Sequence, residues 1–296
     1  MNDITEPFSH RKPEPEEGVL YIVGTPIGNL NDISFRAINI LKNVSMIACE
    51  DTRITGKLMS HLNISNKLTR FHKFNFSKKV DFLIEKLSNG NSIALVSDAG
   101  MPLISDPGEN LVKKARENNF DVICIPGPCA AINALVCSGL GTSKFTFYGF
   151  IPKTGKERKN KLEEISNSNY ASVLYESPKR ILKLLVDLKK ICEHNRNIVV
   201  MKEMTKRFEQ HIGYDFDQVI NHFKDNDPKG EFTVVIGAKE ASVKHNENSH
   251  HSLKNDLINL MNAGLSHSSA SNYLSKKSGK SKKEIYNLII KNGSKI

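Results

Sequence analysis

Three times in the first half of this chain, a short apolar run without alternation empties into a loop of Gly and Pro, after which a helical pattern begins. The runs and loops are Val19–Val23 into Gly24-Thr25-Pro26-Ile27-Gly28-Asn29, Ile93–Val96 into Ser97–Gly108, and Val122–Ile125 into Pro126-Gly127-Pro128 followed by Cys129-Ala130-Ala131. Unalternating runs suit central parallel strands covered on both faces, so a doubly wound α/β sheet is expected. In such sheets the ligand crevice lies at the carboxyl ends of the strands, where all three loops emerge. Gly lets a ligand approach the main chain and permits positive φ, while Pro stiffens the turn, a combination that suits an adenosine-like ligand. Neither a complete Gly-x-x-x-x-Gly-Lys-Ser/Thr phosphate loop nor a Gly-x-Gly-x-x-Gly fingerprint occurs. Any one loop alone reads more readily as a tight strand-to-helix turn; three together point to one pocket.

At 296 residues the chain has room for two cored domains and something smaller. Residues 1–17, with Pro7, Pro13, Pro15 and several charges, are expected to form a flexible tail. Residues 18–141 read as a first α/β domain, with strands near 19–23, 44–49, 93–97 and 121–125 and helices near 34–42, 79–88, 109–118 and 129–138. Residues 142–240 read as a second, opening at Phe145–Phe150, with strands near 171–175, 197–201 and 231–236 and helices near 156–167, 179–192 and 215–224. The cleft between the two is the default active site. A polar stretch, 241–252, has linker composition; helical patterns near 253–262, 267–277 and 281–291, joined by Gly264-Leu265-Ser266 and Gly279-Lys280-Ser281, make 253–296 a helix-turn-helix-like unit, with a small bundle that caps the cleft or mediates dimerisation as the alternative.

A net charge of +10 favours a polyanionic partner. Between 239 and 296 there are ten lysines against four acids, a surplus of six. The five cysteines are odd in number, sit mostly in apolar segments and lack Cys-x-x-Cys spacing, so they read as reduced thiols, and no structural metal is expected. No run approaches a membrane span and the N-terminal segment lacks a signal-peptide core, so a cytoplasmic protein without a membrane partner is expected.

Several ordered motifs carry a family resemblance: Gly24-Thr25-Pro26-Ile27-Gly28-Asn29-Leu30, Cys49-Glu50-Asp51-Thr52-Arg53, Val96-Ser97-Asp98-Ala99-Gly100, Pro102–Gly108, Ile125-Pro126-Gly127-Pro128, Tyr148-Gly149-Phe150, Tyr175-Glu176-Ser177-Pro178 with Arg180, Glu203-Met204-Thr205-Lys206 and Gly230-Glu231-Phe232. From about Leu20 to Ile236 the chain resembles the ribosomal RNA small subunit methyltransferase I family, a branch of the tetrapyrrole methylase-like fold. The resemblance implies two α/β domains with S-adenosylmethionine in the cleft, usually a homodimer, and methylation of a cytidine ribose 2′-hydroxyl in the decoding region of small-subunit ribosomal RNA. Met101 stands where the family usually has Thr, Cys129 where it has Ser, and His72-Lys73-Phe74-Asn75 where it has His-Glu-His-Asn, leaving His72 and Asn75 as the polar survivors.

By the loop argument the cofactor is expected to meet Pro26, Asp98, Ala99, Gly100, Met101, Ile104, Ser105, Pro128, Ala130 and Glu231, mostly through backbone. Asp51 and Arg53 could supply a base and a phosphate-binding cation, or an N-cap with an internal salt bridge. Glu203 and Lys206, at i, i+3 spacing after an apolar strand, are a second catalytic candidate pair, with a surface ion pair as the alternative. Glu176 and Arg180 are a third. Lys153, Lys156, Arg158, Lys159 and Lys161, together with Lys280, Lys282 and Lys283 in the Lys-rich C-terminal turn, are the expected phosphate-contacting surface, unless they are only solvated faces. The expectation is therefore an rRNA ribose 2′-O-methyltransferase. A tetrapyrrole methylase of the same fold and a noncatalytic RNA-binding assembly factor are the rivals.

Overall fold

Five parallel strands form the first sheet in the computed structural model, which describes residues 13–71, 76–192, 196–239 and 246–290. The strands are β1 (Leu20–Val23), β2 (Met46–Cys49), β3 (Leu68–Arg70), β4 (Ile93–Val96) and β5 (Val122–Ile125), in the order β3-β2-β4-β1-β5. Successive strand residues point to opposite faces. Tyr21, Val23, Ile47 and Val96 pack on one side with Ile40 and Leu41 of α1 (Phe35–Asn43) and Met59 of α2 (Thr52–His61). Leu20, Ile22, Ala48 and Leu95 pack on the other with Leu83 and Leu87 of α3 (Phe76–Ser88) and Leu111 of α4 (Glu109–Glu117). Both faces are covered, which is why these strands read as apolar runs without alternation.

The second sheet is mixed. It joins β6 (Phe145–Phe150), β7 (Ala171–Glu176), β8 (Ile198–Lys202), β9 (Gln210–Ile212) and β10 (Phe232–Ile236) in the order β6-β7-β10-β8-β9. Only β6 and β7 run parallel; β10 lies antiparallel to both β7 and β8, and β9 antiparallel to β8. Leu162 and Ile165 of α6 (Gly155–Asn167), Leu184, Leu185 and Leu188 of α7 (Pro178–Ile191), and Val219 and Phe223 of α8 (Phe216–Asp225) cover one face. Ala131, Ala134 and Leu135 of α5 (Ala130–Ser138) cover the other, against Val173, Met201 and Val235. The helix that follows the third loop of the first sheet therefore packs on the second, and the described residues up to Lys239 form one compact unit.

Within the expected flexible tail, the described residues 13–17 are held in place. Glu14 receives two hydrogen bonds from the Arg36 guanidinium, at 2.6 and 2.7 Å, and the Glu16 N–H donates to the Tyr21 hydroxyl at 2.8 Å. Pairing one carboxylate with a helix-borne guanidinium orders a segment that has too little apolar surface to order itself. Residues 1–12 lie outside the described residues.

A second unit, 240–296, holds α9 (Asn246–Asn262), α10 (His267–Ser278) and α11 (Lys282–Ile290) around Leu257, Ala270, Leu274 and Ile285. Ser266 caps α10 by accepting from the Ser269 N–H, and Gly279 ends it in the left-handed region at φ 72°. Residues 246–252 are helical where a linker was expected; the stretch is polar but contains neither Pro nor Gly, so nothing in it stops a helix that the apolar positions downstream anchor.

Candidate active site

The three loops of the first sheet meet. Thr25 and Gly100 exchange backbone hydrogen bonds of 2.9 and 3.0 Å. A Cβ on Gly24 would lie 2.8 Å from the Gly127 Cα, and one on Gly127 would lie 2.7 Å from the Gly24 Cα, so the first and third loops touch backbone to backbone. A Cβ on Gly100, at φ +84°, would meet Ile27 at 3.2 Å and the Pro128 carbonyl at 3.4 Å. Leu103 and Ser105 hold φ of 72° and 71°, a conformation that costs a non-Gly residue on the order of 1–3 kcal/mol and gathers at functional sites.

Where these loops face the second sheet they enclose a cavity of about 450 Å³. Of the expected cofactor contacts, Asp98, Ala99, Gly100, Met101, Ile104, Ser105, Ala130 and Glu231 line it. Pro26 and Pro128 do not, although their neighbours Ile27 and Cys129 do; the prolines shape the turns from behind. The second sheet contributes a wall the sequence reading largely missed: Phe150 from the end of β6, Tyr175, Ser177 and Pro178 around the end of β7, and Gly230, Phe232 and Thr233 leading into β10. Glu50 and Asp106 also line it. Burial pushes the Tyr175 hydroxyl up to about 12, so it is a neutral phenol at pH 7, and its oxygen accepts from the Ala131 N–H at 3.2 Å, fastening the start of α5 to β7.

The catalytic candidates separate. Glu176 lines the cavity with its side chain fully buried; Oε1 takes the Arg180 guanidinium at 2.6 Å and the Ser177 N–H at 2.7 Å, and Oε2 has no hydrogen-bond partner among the described residues. Arg180 stands behind it, also donating to Ser177 Oγ and to the Ile151 carbonyl. Asp51 is the N-cap of α2 and grips the Arg53 side chain at 2.5 Å, while its own N–H donates to Asp98 at 3.0 Å. Hydrogen bonds from the Arg53 side chain and backbone N–H hold the Asp51 carboxyl far below the usual carboxylate range, which leaves it a weak base. Neither Asp51 nor Arg53 lines the cavity.

Glu203 and Lys206 sit on a strained turn after β8, with φ of 52° at Glu203 and 65° at Thr205. The Lys206 ammonium lies 3.0 Å from Glu203 and 2.9 Å from Glu231, and the Glu231 N–H donates to Glu203 at 3.0 Å. Burial opposes the charge on both, yet the Lys206 ammonium and the Glu231 N–H keep Glu203 below its ordinary value, and the two carboxylates keep Lys206 above its own. The turn also reaches the first loop: the Asn29 N–H donates to Thr205 Oγ1 at 3.1 Å, and a Cβ on Gly28 would strike Lys206 at 2.3 Å.

Among the basic candidates, Lys153, Lys156 and Lys159 are exposed at the start of α6, with Lys159 near Glu163 at 3.8 Å and Lys161 bonded to Glu164 at 2.8 Å. Arg158 is no phosphate ligand. It is 7% exposed and donates to Asp187 at 2.9 Å and to the Pro152 carbonyl at 3.2 Å, because two residues after Lys156 a helix has turned to its inner face. In the C-terminal unit Lys283 is exposed, Lys282 donates to Ser268 at 2.9 Å, and Lys280 is half-buried in the turn after α10. His72 and Asn75 lie outside the described residues. Among the described residues no group of His, Cys, Asp and Glu is placed to hold a metal ion, and no helix is long and apolar enough to cross a membrane.

The family model of the tetrapyrrole (corrin/porphyrin) methylases matches residues 19–218. A ribosomal RNA small subunit methyltransferase I of Synechocystis is 40% identical over 271 residues, 92% of this chain and 97% of that protein. One of Vibrio cholerae is 47% identical over 220 residues, 74% of this chain and 76% of its own. Among solved structures, a cobalt precorrin-4 methyltransferase of cobalamin biosynthesis superposes with a TM-score of 0.58 at 14% identity over 74% of this chain and 95% of that one. A uroporphyrin-III C-methyltransferase from Thermus thermophilus gives 0.51 at 16% identity over 74% of this chain and 94% of that one. At such low identity these two speak for the fold alone. With the family model reaching from β1 to the start of α8 and identity of 40% sustained along nearly the whole length, this chain belongs to the tetrapyrrole methylases and, within them, to the ribosomal RNA small subunit methyltransferase I family.

Proposed function

We propose that this methyltransferase uses S-adenosylmethionine to methylate the ribose 2′-hydroxyl of a cytidine in the decoding region of small-subunit ribosomal RNA, as a cytoplasmic homodimer. The observation that carries the reading is the convergence of three rigid loops on one cavity beside an exposed lysine segment. The cavity fits the donor in size and in character. Gly24 and Gly127 let the first and third loops meet backbone to backbone, Gly100 lines the cavity without a side chain, and the carboxylates of Asp98 and Glu231 suit a ligand bearing a sulfonium and an ammonium charge. Asp98, Ala99, Gly100, Met101, Ile104, Ser105 and Ala130 would hold it, with Pro26 and Pro128 setting the turns.

Bound S-adenosylmethionine supplies an electrophilic methyl group for in-line displacement. The protein's task is to hold the attacking oxygen on that line, and such positioning is worth up to roughly 7–11 kcal/mol. The two strained segments, at Leu103–Ser105 and Glu203–Thr205, keep the walls in one geometry. Lys206, pinned between Glu203 and Glu231, stays protonated and closes the rim, while Asp51 orients Arg53 toward RNA phosphate. Positioning therefore dominates over proton abstraction in this site.

Labelled S-adenosylmethionine offered with small ribosomal subunits or with free tetrapyrrole separates the readings. Nuclease-sensitive label is expected; label in the pigment, or none, would overturn this assignment. Charge reversal at Lys153 and Lys156 is expected to weaken subunit binding by roughly tenfold at low salt and progressively less as salt rises, with no change in melting temperature. Arg158→Ala should do the opposite, lowering the melting temperature because Asp187 loses its partner. If both variants lower only affinity, Arg158 contacts RNA after all.

A further inference from the structure

Two features of the cavity remain unused by this mechanism: an exposed ring and an unpartnered carboxylate oxygen on neighbouring strands. Phe150 ends β6 in register with Tyr175 of β7, and the two rings lie 5.6 Å apart at 58°. Tyr175 is braced from behind by Phe147, edge-on at 5.1 Å, so Phe150 rests on a fixed aromatic support. Yet Phe150 itself is 57% exposed, although it lines the cavity. One residue beyond Tyr175, Glu176 also lines the cavity, with Oε1 saturated by Arg180 and Ser177 and Oε2 buried without a partner among the described residues. A buried carboxylate oxygen without a donor is costly, and a ligand that brings one removes the cost. With Oε1 tied down, Oε2 can only accept.

We propose that Phe150 and Glu176 form a nucleobase subsite, in which the Phe150 ring stacks on a pyrimidine and Glu176 Oε2 accepts a hydrogen bond from its exocyclic amino group. The inference rests on the RNA-methylating reading above and names how the target nucleotide is chosen. Acidic side chains accept from the cytosine amino group, whereas the carbonyl that uracil presents at that position would face the carboxylate lone pairs. Sequence-specific recognition of RNA takes bases that are unstacked, holding the face on an aromatic ring and reading the edge by hydrogen bonds. The adenine of the methyl donor also carries an amino group and could seek the same pair. The target nucleotide is favoured because Phe150 opens to solvent at the strand end that leads, within three residues, to the exposed Lys153.

The test compares wild type, Glu176→Gln and Phe150→Leu in two measurements. One is S-adenosylmethionine affinity by equilibrium dialysis; the other is methyl transfer to small subunits reconstituted with cytidine or uridine at the modified position. Wild type is expected to prefer cytidine by on the order of 10- to 100-fold. In Glu176→Gln most of that preference should vanish, since an amide can turn either its oxygen or its amino group to the base, while donor affinity stays within about twofold of wild type. Phe150→Leu should raise the KM for subunits on the order of tenfold with donor affinity unchanged. A cytidine preference that survives in Glu176→Gln overturns the subsite, as does donor affinity that falls in step with transfer, which would give the pair to the donor's adenine. If Glu176→Gln is too poorly folded to turn over, Phe150→Leu decides alone, and an unchanged KM overturns the proposal. No transfer to subunits by wild type removes both the subsite and the functional reading, whereas wild-type transfer with unaltered variants removes the subsite only.

Discussion

Gly127→Ala is expected to reduce S-adenosylmethionine affinity by on the order of 100-fold and methyl transfer at least as much. The new Cβ would lie 2.7 Å from the Gly24 Cα and 2.9 Å from both the Gly24 carbonyl carbon and oxygen. All three are backbone atoms at the end of β1, hydrogen-bonded next to β5 in the same sheet, so no side-chain rotation can relieve the contact. Overpacking of this kind typically costs about 1–3 kcal/mol, and the loops can lower that cost only by moving apart. That movement would pull Thr25 from Gly100 and open the cradle, because the first loop is bonded to the second and pressed against the third. Circular dichroism should show a folded protein with a modestly lowered melting temperature, and equilibrium dialysis should show the lost affinity. Donor binding within threefold of wild type would mean that the three loops are not one rigid cradle.

What the sequence disclosed follows from the same geometry. Strands β1, β4 and β5 were legible because burial on both faces leaves unbroken apolar runs, and their loops were legible because backbone-to-backbone contact demands Gly. Strands β3 and β9 were not: each is three residues long, Leu68-Thr69-Arg70 and Gln210-His211-Ile212, and lies at a sheet edge where few side chains need be apolar. Helix α2 escaped notice because Thr52, Ile54, Thr55 and Gly56 are weak helix formers that blur its stripe, although its cap, Asp51, was in plain view. The antiparallel course of β10 depends on long-range pairing that no local pattern encodes. The site divides the same way. Asp98 to Ser105 sit on a loop whose composition betrays it, whereas Phe150, Tyr175 and Gly230 reach the cavity only because the two sheets pack against each other. Arg158 illustrates the limit for charge, since a run of basic residues does not reveal which one faces inward.

Arg196 shows that limit more sharply, and Arg196→Ala is expected to be the most destabilising substitution outside the cavity, at about 3–5 kcal/mol. The side chain is 3% exposed and its guanidinium donates to four backbone carbonyls: Gly237 at 2.6 Å, Ile165 at 2.9 Å, Ser166 at 3.0 Å and Ser168 at 3.1 Å. Three of these close the C-terminal end of α6 and the fourth belongs to the segment leaving β10, so one residue fastens a helix end to the second sheet. Truncation removes four hydrogen bonds in a place water reaches poorly, although the Ile165 and Ser168 carbonyls keep the Ser168 and Lys239 N–H donors at 3.2 and 2.7 Å; each hydrogen bond to a charged group is worth about 1.5–3 kcal/mol alone, and their sum is less than additive. For a unit of this size the melting temperature should fall by roughly 10 °C or more. Arg196→Lys should recover little, since an ammonium cannot span carbonyls that a planar fork meets from several sides. Below its melting transition the variant should bind S-adenosylmethionine as wild type does, because Arg196 does not line the cavity. A loss below about 1 kcal/mol by chemical denaturation would show that the carbonyls find other donors, and that the buried guanidinium is not what holds this end of α6 to the sheet.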